Sequence, residues 1–168
     1  MSAGAVWVTI LLLLLNAFFV GAEFAAMAAR RSTLEPLAAN GSRRAQVCLD
    51  ALEQMGSLLA GAQLGITVCS VLLGAISEAA LHHALEPVVH HLGLPTGVTD
   101  GLALALALLI VVYLHVVVGE MIPKNLALAG PERSALILVP VLLFITRALR
   151  PVISVMEAIA KSLVRLFG

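Results

Sequence analysis

Gly119-Glu120-Met121-Ile122-Pro123-Lys124 closes a long apolar run, Leu102 to Val118, that carries no charge. At a bilayer centre an ionised side chain costs about 2.5–3.5 kcal/mol, and less near the interface. A carboxylate at the mouth of such a helix needs compensation, and a bound cation is the simplest. Lys124 stands at the favourable i,i+4 spacing from Glu120, but Pro123 is expected to end the helix between them. Two other apolar stretches carry polar residues at helical spacing. Asn16 and Glu23 are seven apart with Val20 between them, so they share a helix face. Gln63, Thr67, Ser70, Gly74 and Ser77 or Glu78 follow steps of three or four and form one stripe. Tyr113 and Glu120 are again seven apart, with His115 and Gly119 in the same segment.

Polar stripes escape lipid only by facing one another, which predicts a polar core between helices. Its chemistry is carboxylate, hydroxyl and amide oxygen. Such hard donors suit Mg²⁺, Ca²⁺ or Na⁺ better than zinc or copper. Each residue also has a reading without an ion. Serine and threonine in a span often bond back to their own helix carbonyls. Asn16 and Gln63 can join helices as interhelical hydrogen bonds. Glu23 can pair with Arg30 or Arg31, and Tyr113 can simply pack. Gly61 and Gly65 form a small-xxx-small motif, which reads as a packing or dimer face. His82-His83 and His90-His91 flank Glu86, but Pro87 spoils a metal-binding helix face there, and a solvated amphipathic face is the better reading. Cys48 and Cys69 read as small packing residues, not a disulfide.

The elements that must position these residues follow from composition. The chain has 168 residues, 61% of them hydrophobic, 12% charged and 4% aromatic, with zero formal net charge. A soluble domain is about half apolar and about a quarter charged, so this is an integral membrane protein of one domain, 1–168. Scarce aromatics disfavour a barrel, and the long unalternating apolar runs predict helices. Zero net charge gives no global field to attract nucleic acid. The fold class is an all-α membrane protein with three spans, at about Ala5–Ala29, Ser57–Leu81 and Val98–Ile122. Pro36 and Asn40-Gly41 are expected to break the polar segment 30–54 into two short helices. Pro87 and Gly93-Leu94-Pro95 are expected to break a loop, His82 to Asp100.

Arg30, Arg31, Arg43 and Arg44 place the first loop in the cytoplasm, and the second loop has no Lys or Arg. The N-terminus is then outside and Lys124 is cytoplasmic. Ala135–Thr146 is short and holds Pro140. Crossing there would put Arg147, Arg150, Lys161 and Arg165 outside, so a bent helix on the cytoplasmic face is expected in place of a fourth span. An amphipathic helix follows from Val152, with Ile153, Met156, Ile159, Ala160, Leu163 and Leu166 on one side and Glu157, Lys161 and Arg165 on the other. No HExxH, GxSxG or P-loop is present, and nothing points to an enzyme.

Asn16-Ala-Phe-Phe-Val-Gly-Ala-Glu-Phe-Ala25, then Arg30-Arg31, then Gln63-Leu-Gly-Ile-Thr67 and Gly119-Glu-Met-Ile-Pro-Lys124 resemble the transmembrane (DUF21) region of the CorC/CNNM magnesium transporters. The resemblance covers essentially the whole chain. It implies a homodimer in the inner (plasma) membrane, with three spans per subunit, an outside N-terminus and a belt-like cytoplasmic helix. It implies Mg²⁺ export in exchange for Na⁺, with a dehydrated Mg²⁺ held between the spans. Carried over, the ligands come from Gly21, Thr67, Ser70, Gly119 and Glu120, supported by Asn16, Glu23, Gln63 and Lys124. Related sequences often carry serines where Val20 and Ala22 stand, and asparagines where Ile66-Thr67 stand. That leaves room for backbone carbonyls near Gly21. The family's cytoplasmic CBS and C-terminal domains are not expected within this chain. The alternative function is a membrane anchor and dimerisation module for a regulatory cytoplasmic domain, without transport.

Overall fold

A computed structural model describes residues 3–90 and 96–167. Among them all regular structure is helical: α1 (Ala3–Ala28), α2 (Arg31–Ala39), α3 (Arg43–Glu53), α4 (Met55–His90), α5 (Thr96–Leu114), a π-helical segment (His115–Met121), α6 (Ile122–Ala129), α7 (Pro131–Ala148) and α8 (Arg150–Phe167). Three helical stretches among the described residues are long and apolar enough to cross a membrane: Gly4–Ala28, Met55–Val89 and Gly97–Ala129. A fourth arises only if α7 and α8, bent by 78° at their junction, count as one broken span. The all-α architecture with three spans and additional helices is as the composition predicts.

Several prolines behave differently from the expectation. Pro87 lies inside α4 and Pro36 inside α2, and α7 runs unbroken through Pro140. Residues 82–90 are therefore helix, not loop, while His91 and Gly93-Leu94-Pro95 lie outside the described residues, as do the side chains of His90 and Leu166. The break between α2 and α3 falls at Asn40-Gly41 alone, where Gly41 takes the left-handed φ of +88° that glycine adopts without steric cost. The break between α7 and α8 falls at Leu149, just before Pro151.

Two compact units divide the chain: Met1–Phe18 with Gly65–Pro123, and Phe19–Leu64 with Lys124–Gly168. In the first, Leu12, Leu13, Leu73 and Val111 form a buried apolar cluster, with Ile76 and Leu81 packed against it. Trp7, Leu14, Leu109 and Val112 stay exposed. An outer surface of large apolar side chains suits helices whose solvent is lipid.

In the second unit Leu34, Leu58, Val139 and Leu142 are fully buried. Cys48 joins them, its thiol donating to the Ala135 carbonyl at 3.3 Å, and burial pushes that thiol up to about 11. Both cysteines are free and buried, as expected. Arg30 pairs with Glu132 and Arg31 with Glu53, so neither arginine serves Glu23. In α8, Ile153 is buried while Met156, Ile159 and Leu163 are exposed, and Lys161 pairs with Glu157 at 3.2 Å.

Candidate functional site

Pro123 has no N–H, so it cannot close the i→i−4 bond to the Gly119 carbonyl, and its ring crowds that oxygen. The helix answers by widening just upstream: His115–Met121 is π-helical, and the Ile122 N–H bonds to the Val117 carbonyl, five residues back. The chain then continues as α6. Pro123 therefore re-winds the helix without ending it, contrary to the sequence expectation.

The Gly119 carbonyl receives another donor instead. Asn16 Nδ2, on a residue 1% exposed, donates to it at 3.0 Å. Ser70 Oγ donates to Asn16 Oδ1 at 3.5 Å and lies 3.1 Å from His115 Nε2. Either Ser70 Oγ or His115 Nε2 can donate in their contact, according to the imidazole tautomer. The same Nε2 lies 3.5 Å from Glu120 Oε1. Asn16, Ser70, His115, the Gly119 carbonyl and Glu120 thus form one polar chain inside the first unit, contributed by α1, α4 and the π segment.

Glycine at 119 lets this close without displacing its neighbours. A Cβ there would sit 3.0 Å from both Asn16 Nδ2 and His115 Cδ2. His115 is the member that sequence reasoning missed as Glu120's neighbour. Residues five apart fall on different faces of an α-helix, and only π winding brings them together.

Two further pairs continue the pattern. Thr9 and Ser77 hydroxyls meet at 2.7 Å in the first unit, and Gln63 Nε2 donates to Glu23 Oε1 at 3.4 Å in the second. With Asn16–Ser70, α1 supplies residues 9, 16 and 23 and α4 supplies 77, 70 and 63, in reverse order and in steps of seven. A seven-residue repeat is the period at which two packed helices keep the same seam. Asn16, Glu23, Gln63 and Ser70 are therefore interhelical partners. Thr9 belongs to the set and was not singled out in the sequence.

The remaining expected site residues are placed as follows. Thr67 is exposed on α4, one turn before Ser70. Gly21 is buried in α1 and belongs to the second unit, whereas Thr67, Ser70, Gly119 and Glu120 belong to the first. Lys124 lies over the Phe24 ring at 4.7 Å. Gly61 faces Thr146 of α7 so closely that a Cβ would collide with its Oγ1, so this half of the small-residue motif packs within the chain. Gly65 is buried. Among the described residues no group of three or more His, Cys, Asp or Glu gathers as a metal cluster. Any ion here would rely on neutral oxygens with Glu120 as the carboxylate.

Apolar spanning helices joined by a chain of polar groups, buried at Asn16 and half-exposed at Glu120, define a multi-pass α-helical membrane domain. Residues 7–168 match the cyclin M transmembrane N-terminal domain, CNNM, and the chain belongs to that family. It is 49% identical over 164 residues to an uncharacterized Mycobacterium tuberculosis protein, Rv1841c, covering 98% of this chain and 46% of that protein. It is 36% identical over 157 residues to the UPF0053 protein YhdT of Bacillus subtilis, covering 94% of this chain and 34% of the relative. The UPF0053 protein sll0260 of Synechocystis is 31% identical over 157 residues, with 94% and 35% covered. The chain spans between about a third and just under half of the length of these relatives.

Proposed function

We propose that this domain carries Mg²⁺ across the inner (plasma) membrane, exporting it in exchange for Na⁺, as part of a homodimer. Ser70, the Gly119 carbonyl and Glu120 are the proposed ligands, with Asn16 and His115 holding them in place. Gly21 and Thr67 remain in the ligand set that the family implies. The observation that carries this reading is the state of Glu120. Its nearest basic neighbour among the described residues is His115 at 3.5 Å, beyond the 2.7–2.9 Å of a charge-assisted hydrogen bond. Hydrogen bonds between membrane helices average about 0.6 kcal/mol, well short of the cost of an ionised carboxylate in a span. A divalent cation offsets that cost where a long histidine contact does not. Mg²⁺ takes oxygen ligands in near-octahedral geometry, so hydroxyl and carbonyl oxygens around a single carboxylate suit a dehydrated ion held between the spans.

Glu120→Gln is isosteric and removes the charge. Calorimetry should show Mg²⁺ affinity reduced by about tenfold or more, the loss expected when one charge-assisted contact disappears, with helix content unchanged. Unaltered Mg²⁺ binding in that variant would remove Glu120 from the site.

The anchor and dimerisation reading draws on the same network, because Asn16 bonds Gly119 and Ser70 as interhelical glue does. Cation flux into liposomes by the full-length protein separates the two. Intact dimers that move no Mg²⁺ favour the anchor.

A further inference from the structure

A cleft of about 480 Å³ opens in the second unit among the first turn of α4, the end of α7 and the start of α8. Gln54, Ser57, Thr146, Arg147, Arg150 and Ser154 line it, with Glu157 beside them. Its charge is unbalanced. Glu157 already pairs with Lys161 at 3.2 Å, and neither guanidinium has a carboxylate partner among the described residues. Arg147 lies in the last turn of α7, where a cation is favoured, but Arg150 opens α8 at its positive end, where a cation is disfavoured and an anion is welcome. Helix α4 begins at the same cleft and turns its positive end toward it.

We infer that this cleft binds a phosphate group carried on an anionic phospholipid headgroup. Two guanidinium forks beside two helix N-termini are donors that tetrahedral phosphate oxygens take, whereas the Ser57 and Ser154 hydroxyls donate to the Gln54 and Pro151 carbonyls three residues back. The lipid source follows from α8. Val152, Val155, Met156 and Ile159 are exposed along it, leaving an apolar surface for the acyl chains beside the headgroup. None of these residues belongs to the proposed ion site, so the two readings fail independently.

Native mass spectrometry of the full chain, titrated with short-chain phosphatidylglycerol, tests the assignment. Wild type and Arg165→Gln, which removes an arginine elsewhere on α8, should bind alike. Arg147→Gln/Arg150→Gln should bind about tenfold more weakly or worse. Should that pair fail to fold, Arg147→Lys/Arg150→Lys keeps the charge, loses the planar fork, and should weaken the same adduct. Equal binding in the folded double variant overturns the site, and an equal loss in Arg165→Gln reduces it to general charge attraction. A parallel titration with inorganic phosphate resolves the source: arginine-dependent phosphate binding without lipid binding overturns the lipid assignment.

Discussion

Asn16, Gly119 and His115 crowd one point of the site, and glycine is the residue that lets them. Gly119→Ala would bring a Cβ to 3.0 Å from both neighbours, so Asn16 or His115 must move. The expected result is loss of the Asn16–Gly119 bond, a fall in thermal stability equivalent to about 1–3 kcal/mol, and weakened Mg²⁺ binding. Thermal melts in detergent with and without Mg²⁺ measure both effects. An alanine variant with an unchanged Mg²⁺-dependent shift would mean that the carbonyl is not part of the site. Sequence spacing already marked Asn16, Ser70, Gly119 and Glu120, because intramembrane polar residues are rare enough to stand out. It did not join His115 to Glu120, since the joining depends on helix winding, and periodicity analysis assumes one winding throughout.

Helical elements here absorb proline more readily than the sequence suggests. Pro36, Pro87 and Pro140 sit inside helices, and Pro123 changes the winding without stopping the chain. For Pro87 and Pro123, which lie in spans, the alternative to helix is unpaired backbone in hydrocarbon, which costs several kcal/mol per group, so a kink or a π turn is the cheaper response. The small-residue motif on α4 was legible, but which helix Gly61 meets was not, because the motif states closeness without naming a partner. The structure gives it Thr146. Gly61→Ala should therefore destabilise the domain by about 1–3 kcal/mol through overpacking. Thr146→Ala removes the opposing hydroxyl, which is itself buried without a hydrogen-bond partner among the described residues. Combining the two should recover most of the loss, giving a coupling energy well above the about 0.5 kcal/mol scatter of independent sites. Additive losses in a melting experiment would show that the two residues do not share this contact.

At the scale of the molecule the open choice is whether α7 and α8 cross the membrane. Their combined length and hydropathy permit it, and the 78° bend at Leu149 is compatible with a broken span. Charge argues the other way. Crossing would carry Arg147, Arg150, Lys161 or Arg165 to the side opposite Arg43 and Arg44, against the positive-inside bias. The exposed apolar face of α8, with Met156, Ile159 and Leu163, fits a helix lying in the interface, where amphipathic helices bury one side. We therefore propose that Arg43 and Arg165 lie on the same, cytoplasmic side and Asp100 on the other. Single cysteines at these three positions can be probed with a membrane-impermeant maleimide in intact cells. The native thiols add little background: Cys69 is buried, and Cys48 is buried with its thiol pushed up to about 11, so almost none of it is thiolate near neutral pH. Asp100→Cys should label from outside, whereas Arg43→Cys and Arg165→Cys should label only after the cells are permeabilised. Outside labelling of Arg165→Cys alongside protected Arg43→Cys would establish a fourth crossing. It would also move the arginine-lined cleft out of reach of cytoplasmic-leaflet headgroups.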